Sequence, residues 1–251
     1  MVASAEPVQT TSKPRDRAPT GAIDAPEPLE PDDAREAFRK KTRDAIPSRY
    51  SPSLHLGIPA VVGLGLIAAS IALLRDVRWY DLLLVPIVYV MSNATEWRAH
   101  KHALHHRMRG PARILYDRHT PMHHRVFIAK DMAVRDRREY ALVLLPAFGI
   151  AAIFLITAPI TVALWFVRAN LAYLFVATTM SYVLSYEWLH LAYHLPKDHV
   201  VSKLGVIQHL RRHHATHHHP PLMQRWNFNV TVPLWDWVRH TTYPDRLPEL
   251  D

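Results

Sequence analysis

Four apolar blocks follow a polar first fifth of the chain. Leu54 to Leu74 carries no Asp, Glu, Lys or Arg and ends at the charged corner Arg75-Asp76-Val77-Arg78. A helical crossing of a bilayer core takes about 20 apolar residues, so this block is long enough to span. A second block, Trp79 to Asn93, is short for a span, with Trp79 and Tyr80 suited to one interface and Trp97 to the other. Continued as a helix past Thr95, it carries Glu96, His100 and His105 out of the membrane. The third block runs from Ala141 to Pro159 and the fourth from Leu171 to Leu189, with either Pro159 or Arg168 marking the turn between them. The pattern predicts an all-α integral membrane protein of about four transmembrane helices.

Residues 1–50 differ in kind, being rich in Pro, Ala, Asp and Glu without a basic-then-hydrophobic leader. They read as a disordered or weakly structured cytoplasmic tail, ahead of a membrane-embedded unit over residues 51–251. Asp32 to Ile46 offers only a weak amphipathic stripe of Ala37, Phe38 and Ile46, and a solvated tail is the simpler reading.

Histidine is the conspicuous polar residue, 18 in all, gathered mostly in four stretches that flank the apolar blocks. With two crossings between the tail and Glu96, and two more before His190, all four stretches return to one side. That side also carries Arg98, Lys101, Arg107, Arg109, Arg125, Arg135, Arg211 and Arg212, whereas the far side has little beyond Arg75, Arg78 and Arg168. By the bias of positive charge toward the cytoplasm, the histidines face the cytoplasm. The formal charge of +8 thereby finds a membrane explanation, and no RNA- or DNA-binding motif accompanies it.

The chain has no cysteine, which removes thiolate zinc, iron–sulfur and haem-thiolate chemistry and leaves His and carboxylate as metal ligands. On an α-helix, residues three or four apart share a face. His190 and His194 therefore point together, and so do His214, His217 and His218. His119 and His123 are four apart, but Pro121 makes a regular helix doubtful there. In the first stretch spacing alone is ambiguous: His102, His105 and His106 share a face, whereas His100 and His105 need a helix end or a second metal to meet.

These boxes resemble the fatty acid hydroxylase superfamily, the membrane-bound di-iron group that includes sterol desaturases and carotenoid hydroxylases. The matching residues are His100-x4-His105, His119-x3-His123-His124, His190-x3-His194 and His214-x2-His217-His218. Asn227-Phe-Asn-Val-Thr231 and Leu234-Trp-Asp236 follow. The likeness covers about Glu96 to Thr241, and it selects the register of His100 and His105 over that from His102. It implies ten ligands in a cytoplasmic helical cap: His100, His105, His119, His123, His124, His190, His194, His214, His217 and His218.

It further implies two iron ions, with zinc able to replace them in a purified sample, and O2 as co-substrate of a membrane lipid's oxidation. No dinucleotide, flavin or haem site is legible, so electrons come from a separate ferredoxin- or cytochrome-type protein, for which a basic surface is suited. Glu96, Asp117, Glu187, Asn227 and Asp236 are the candidates to orient the rings, Asn227 alternatively reaching a metal through water. The carboxylates read equally well as surface partners of nearby arginines. His55, His199 and His240 read as solvated, and Trp79, Trp97, Trp188 and Trp237 as interfacial. A desaturase or carotenoid hydroxylase shares the metal site, and a divalent-metal transporter remains as a different class.

Overall fold

The computed structural model describes residues 30–245 and Leu247, and among these the regular elements are helical apart from one isolated bridge between Ile128 and Asp131. Helix α1, Asp32–Asp44, has Asp32 and Asp33 in its first turn and Lys41 and Arg43 in its last, matching the helix dipole. It is docked, which corrects the reading of this stretch as a solvated tail. Arg35 and Arg39 are buried and reach Asp131 and Glu139. The weak apolar stripe concealed this because charged side chains make the contact. Ile46 joins a core with Val126, Phe127, Leu142 and Leu191, Phe38 packs beside Arg125, and Ala37 is exposed. The rest of the expected tail, residues 1–29, lies outside the described residues.

Ser51 caps helix α2, Pro52–Ala72, by accepting from the Leu54 N–H at 3.3 Å. Helix α3, Leu84–Arg98, follows a 3₁₀ turn. Short helices α4 (Arg113–Arg118), α5 (His124–Val126) and α6 (Tyr140–Val143) lead to the long pair α7 (Ala147–Val167) and α8 (Ala169–Tyr193). Helices α9, Gly205–His217, and α10, Leu234–Val238, complete the chain. Helix α8 is the axis, packed by α2, α3, α7 and α9.

Arg168 marks the turn between α7 and α8, and Pro159 lies inside α7. Arg168 pairs with the buried Asp81 at 2.9 Å, and Asn170 both accepts from the Arg75 N–H at 3.1 Å and donates to its carbonyl at 2.6 Å. The α2–α3 and α7–α8 turns are thus knitted together at one end. Helices α3 and α8 both start there and run to the histidines at the other end.

Two stretches, Pro52–Ala72 and Arg137–Val167, are long and apolar enough to cross a membrane. Their apolar side chains face outward, Leu155 being 76% and Phe166 84% exposed, which a soluble protein's core helix would not allow. The expectation of four such helices is met by two on composition. Helix α3 has 15 residues, and at about 1.5 Å per residue it is shorter than a bilayer core. Helix α8 is the interior helix and buries Asn170, Thr179, Glu187 and His190.

Candidate metal centre

Backbone winding decides which histidines meet. Ala99–Leu104 is π-helical, and in a π-helix residues five apart come round to the same side. His100 and His105 therefore stack, with ring centres 5.2 Å apart. A second π-helical turn, His119–His123, brings His119 and His124 together at 3.0 Å between Nε2 atoms. His123 leaves for the other side, so the four-residue spacing of His119 and His123 does not put them in one group. Helix α9 also splits its rings: His214 and His218 share one side and His217 takes the other.

The ten histidines form two groups of five, all buried. The first is His100, His105, His119, His124 and His217; the second is His123, His190, His194, His214 and His218. Within each group the candidate ligand atoms all lie within 4.8 Å of one another. Neighbouring Nε2 pairs stand 2.9 Å apart for His100 and His119, 3.0 Å for His105 and His217, and 3.2 Å for His123 and His218. Nitrogens at right angles around an ion with bonds of about 2.1 Å lie roughly 3.0 Å apart, and these spacings match that geometry.

Hydrogen bonds to the far side of the rings fix which nitrogen carries the proton. Nδ1 of His123, His194, His217 and His218 donates to the carbonyls of Leu142 (2.9 Å), Met132 (2.8 Å), Trp226 (2.8 Å) and Phe127 (2.6 Å). His100 Nδ1 likewise donates to Phe228 O. Thr120 Oγ1 spends its only proton on Leu104 O at 2.8 Å and so accepts from His105 Nδ1 at 3.1 Å. In each neutral ring the inward Nε2 is then a bare lone pair. Lone pair facing lone pair is repulsive unless a cation lies between, and the donor set therefore fits a metal. Burial, and secondarily the neighbouring imidazoles, push His105 down to about 2, and burial pushes His123 and His217 down to about 4, so the rings are neutral and ready to ligate.

Of the five polar residues expected to orient these rings, Asp236, Asn227 and Glu96 bond the backbone around the carbonyls the rings use, and Glu187 and Asp117 do not. Asp236 accepts from the N–H groups of Phe228 (3.0 Å) and Asn229 (2.8 Å), from Thr241 Oγ1 (2.6 Å) and from His213 Nε2 (3.1 Å). Asn227, in the left-handed region at φ 57°, donates to His213 O at 2.9 Å and accepts from the Tyr243 N–H at 2.8 Å. Both ends of its amide bond backbone groups. Glu96 accepts from Thr231 N–H (3.1 Å) and Thr231 Oγ1 (2.6 Å), and also from Val230 N–H and Tyr182 OH. Glu187 accepts from the Leu145 N–H at 2.9 Å, and Asp117 is an exposed partner of Arg113 at 3.0 Å.

The turn shaped by Asn227, Asp236 and Glu96 is the one that offers Trp226 O and Phe228 O to His217 and His100. Carbonyl partners have no side-chain signature, so sequence could not name them. Thr120, between His119 and His123, carried a usable signal as a hydroxyl inside a box.

Among the remaining histidines, His102, His106 and His209 are exposed. His55 is not solvated: it bonds Tyr50 OH at 2.8 Å and Leu145 O at 2.9 Å. Trp97 is buried and donates to Thr241 Oγ1 at 2.9 Å, whereas Trp79, Trp188 and Trp237 are exposed. Comparison with protein-family models, with curated proteins and with solved structures finds no match to this chain.

Proposed function

We propose that this chain is a membrane-bound, O2-dependent, non-haem di-iron hydroxylase that inserts oxygen into an unactivated C–H bond of a membrane lipid. The observation that carries the reading is the pair of adjoining, buried five-histidine groups, in which His100, His105, His123, His194, His217 and His218 turn a bare Nε2 inward. Five nitrogen donors per ion exceed the four of a structural zinc site and suit a metal that accepts five or six ligands. Two iron ions held there would supply the chemistry of O2 reduction, with electrons from a separate donor, and of hydrogen removal from carbon. The ten buried histidines would hold the ions with neutral imidazole alone, leave their charge uncompensated and keep them from bulk water.

The outward apolar faces of α2 and α7 support insertion in a bilayer, with α3 and α8 crossing beside them and the histidine end in the cytoplasm. A lipid chain then reaches the cap from the membrane side. Electrons come from a separate acidic ferredoxin- or cytochrome-type protein drawn to the basic face.

Lipid profiling of cells with and without the gene tests the reaction: a product heavier by one oxygen is expected. His217→Ala and His218→Ala are each expected to abolish it and to lower the metal content of the purified protein. Unchanged product and metal in both variants would reject the site. Loss of two hydrogens would assign a desaturase, and metal uptake into proteoliposomes without O2 consumption a transporter.

A further inference from the structure

The two groups are supported by different parts of the chain. The first is held from the Trp226–Phe228 turn and Thr120. The second depends on the irregular loop 126–139, which offers Phe127 O to His218 and Met132 O to His194. The same loop is laced to the backbone of those histidines, Val134 N–H donating to His194 O at 2.7 Å and Ala129 N–H to His218 O at 3.1 Å. Its own pairings are short-range, the isolated bridge of Ile128 with Asp131 and the Arg137–Glu139 turn, in which the Glu139 N–H donates to Asp136 O at 2.9 Å. Longer ties come from outside the loop.

Helix α1 lies across this loop, and Arg39 is its centre. The guanidinium forks onto Glu139, Nε at 2.9 Å and Nη2 at 2.7 Å, and donates to Ala133 O at 2.6 Å. It sits 5.3 Å from the centre of the Phe127 ring. Glu139 in turn accepts from the Arg135 N–H at 2.8 Å. Arg39 is 2% exposed and Glu139 fully buried, so the fork is dry and geometrically demanding. Arg35 adds bonds to Asp131 at 2.9 Å and Val126 O at 3.4 Å.

We propose that Arg39 is a positioning residue for the second histidine group, holding the loop carbonyls that aim His194 and His218, and that α1 is thereby part of the metal centre. The inference rests on the metal-binding reading above. The hydrogen bonds of Arg39 itself end on Asp131, Ala133 and Glu139, none of which supports the first group, so the effect of Arg39 is confined to the second.

Co(II) titration of the full chain in detergent separates the possibilities, with one group disabled at a time. In a His105→Ala background, where only the second group remains intact, Arg39→Ala is expected to weaken binding about 10–100-fold, the usual cost of losing a ring-orienting partner. In a His214→Ala background, where only the first remains, Arg39→Ala is expected to leave the affinity unchanged. Equal losses in both backgrounds, or none in either, would overturn the inference. Should Arg39→Ala not accumulate, Arg39→Lys keeps the charge without the fork and is expected to show a smaller loss, again only in the second group; an equal or absent loss overturns it too. A parent chain that binds no Co(II) would refute the centre itself, and the inference with it.

Discussion

Nε2 of His123 and Nε2 of His218 face each other at 3.2 Å, although both rings have committed their Nδ1 protons to carbonyl oxygens. The arrangement joins residues 95 positions apart in the chain and is repulsive without a cation. His105 and His217 repeat it in the first group at 3.0 Å. A fold that brings two such pairs into dry surroundings stores their repulsion until ions relieve it. Metal removal is therefore expected to destabilise the protein. At free metal of 100 times the dissociation constant a single site contributes about 2.7 kcal/mol. Thermal unfolding in detergent with chelator, and then with restored Fe(II), should show a clear drop and recovery; identical curves would contradict the two-ion centre.

Acid should weaken the metal-free fold over a defined window. His123 and His217 are pushed down to about 4, first by burial, whereas an imidazole in the unfolded chain titrates near 6.5. Between those values the unfolded chain takes up protons that the folded one refuses, so stability falls as the pH drops. His105, held down to about 2, extends the loss to lower pH. Unfolding of chelated protein is expected to be independent of pH above about 6.5 and progressively easier from there toward pH 4. A profile flat across that range would mean the rings are charged or exposed.

Thr120 should be as sensitive as a ligand to a change of shape-conserving kind. Thr120→Val keeps the volume and removes the oxygen that accepts from His105 Nδ1. The buried N–H left behind costs about 1–3 kcal/mol, and the ring is freed to turn. Metal affinity of the first group is expected to fall roughly tenfold or more, with Thr120→Ser close to the parent. Equal affinity in Thr120→Val would show that sterics alone hold His105.

Asp236 is expected to matter for folding more than for ligation. Its two oxygens take four donors, and Asp236→Asn turns an N–H₂ toward some of them. Stranding buried donors costs about 1–3 kcal/mol each, so a marked drop in unfolding temperature is expected. Because the turn it holds carries Phe228 O, the first group should lose metal before the second. Selective loss from the second group would contradict this path.

Local spacing made His190, His194, His214, His217 and His218 legible, whereas the register of His100 and His105 came from the family likeness, and the division of the ten into two groups was not legible. Box spacing reports α-helical faces, and two π-helical turns change the rule from four residues to five, pairing His100 with His105 and His119 with His124. The outer helices α2 and α7 were legible because they are long, apolar and free of Asp, Glu, Lys and Arg. Helix α8 was blurred by the polar residues it buries. Helix α1 was missed because Arg35 and Arg39 make its contacts, and hydrophobic periodicity does not register a docked arginine.

The packing of α2 against α8 gives a last expectation that needs no metal. A Cβ added at Gly63 would stand 3.0 Å from Leu184 Cδ1 and 3.1 Å from Leu184 Cγ, closer than carbon atoms sit in a packed interior. Small residues let helices of this kind approach closely where apolar surroundings provide no driving force of their own. Gly63→Val is therefore expected to cost about 1–3 kcal/mol through overpacking. Gly65 lies two residues on, where an added Cβ meets nothing within 4 Å, and Gly65→Ala should be neutral or slightly stabilising through helix propensity. Since Leu184 lies on the helix that ends in His190 and His194, Gly63→Val should also loosen the second histidine group. Thermal unfolding of the two variants in detergent decides it: equal behaviour would mean that α2 meets α8 through a different face.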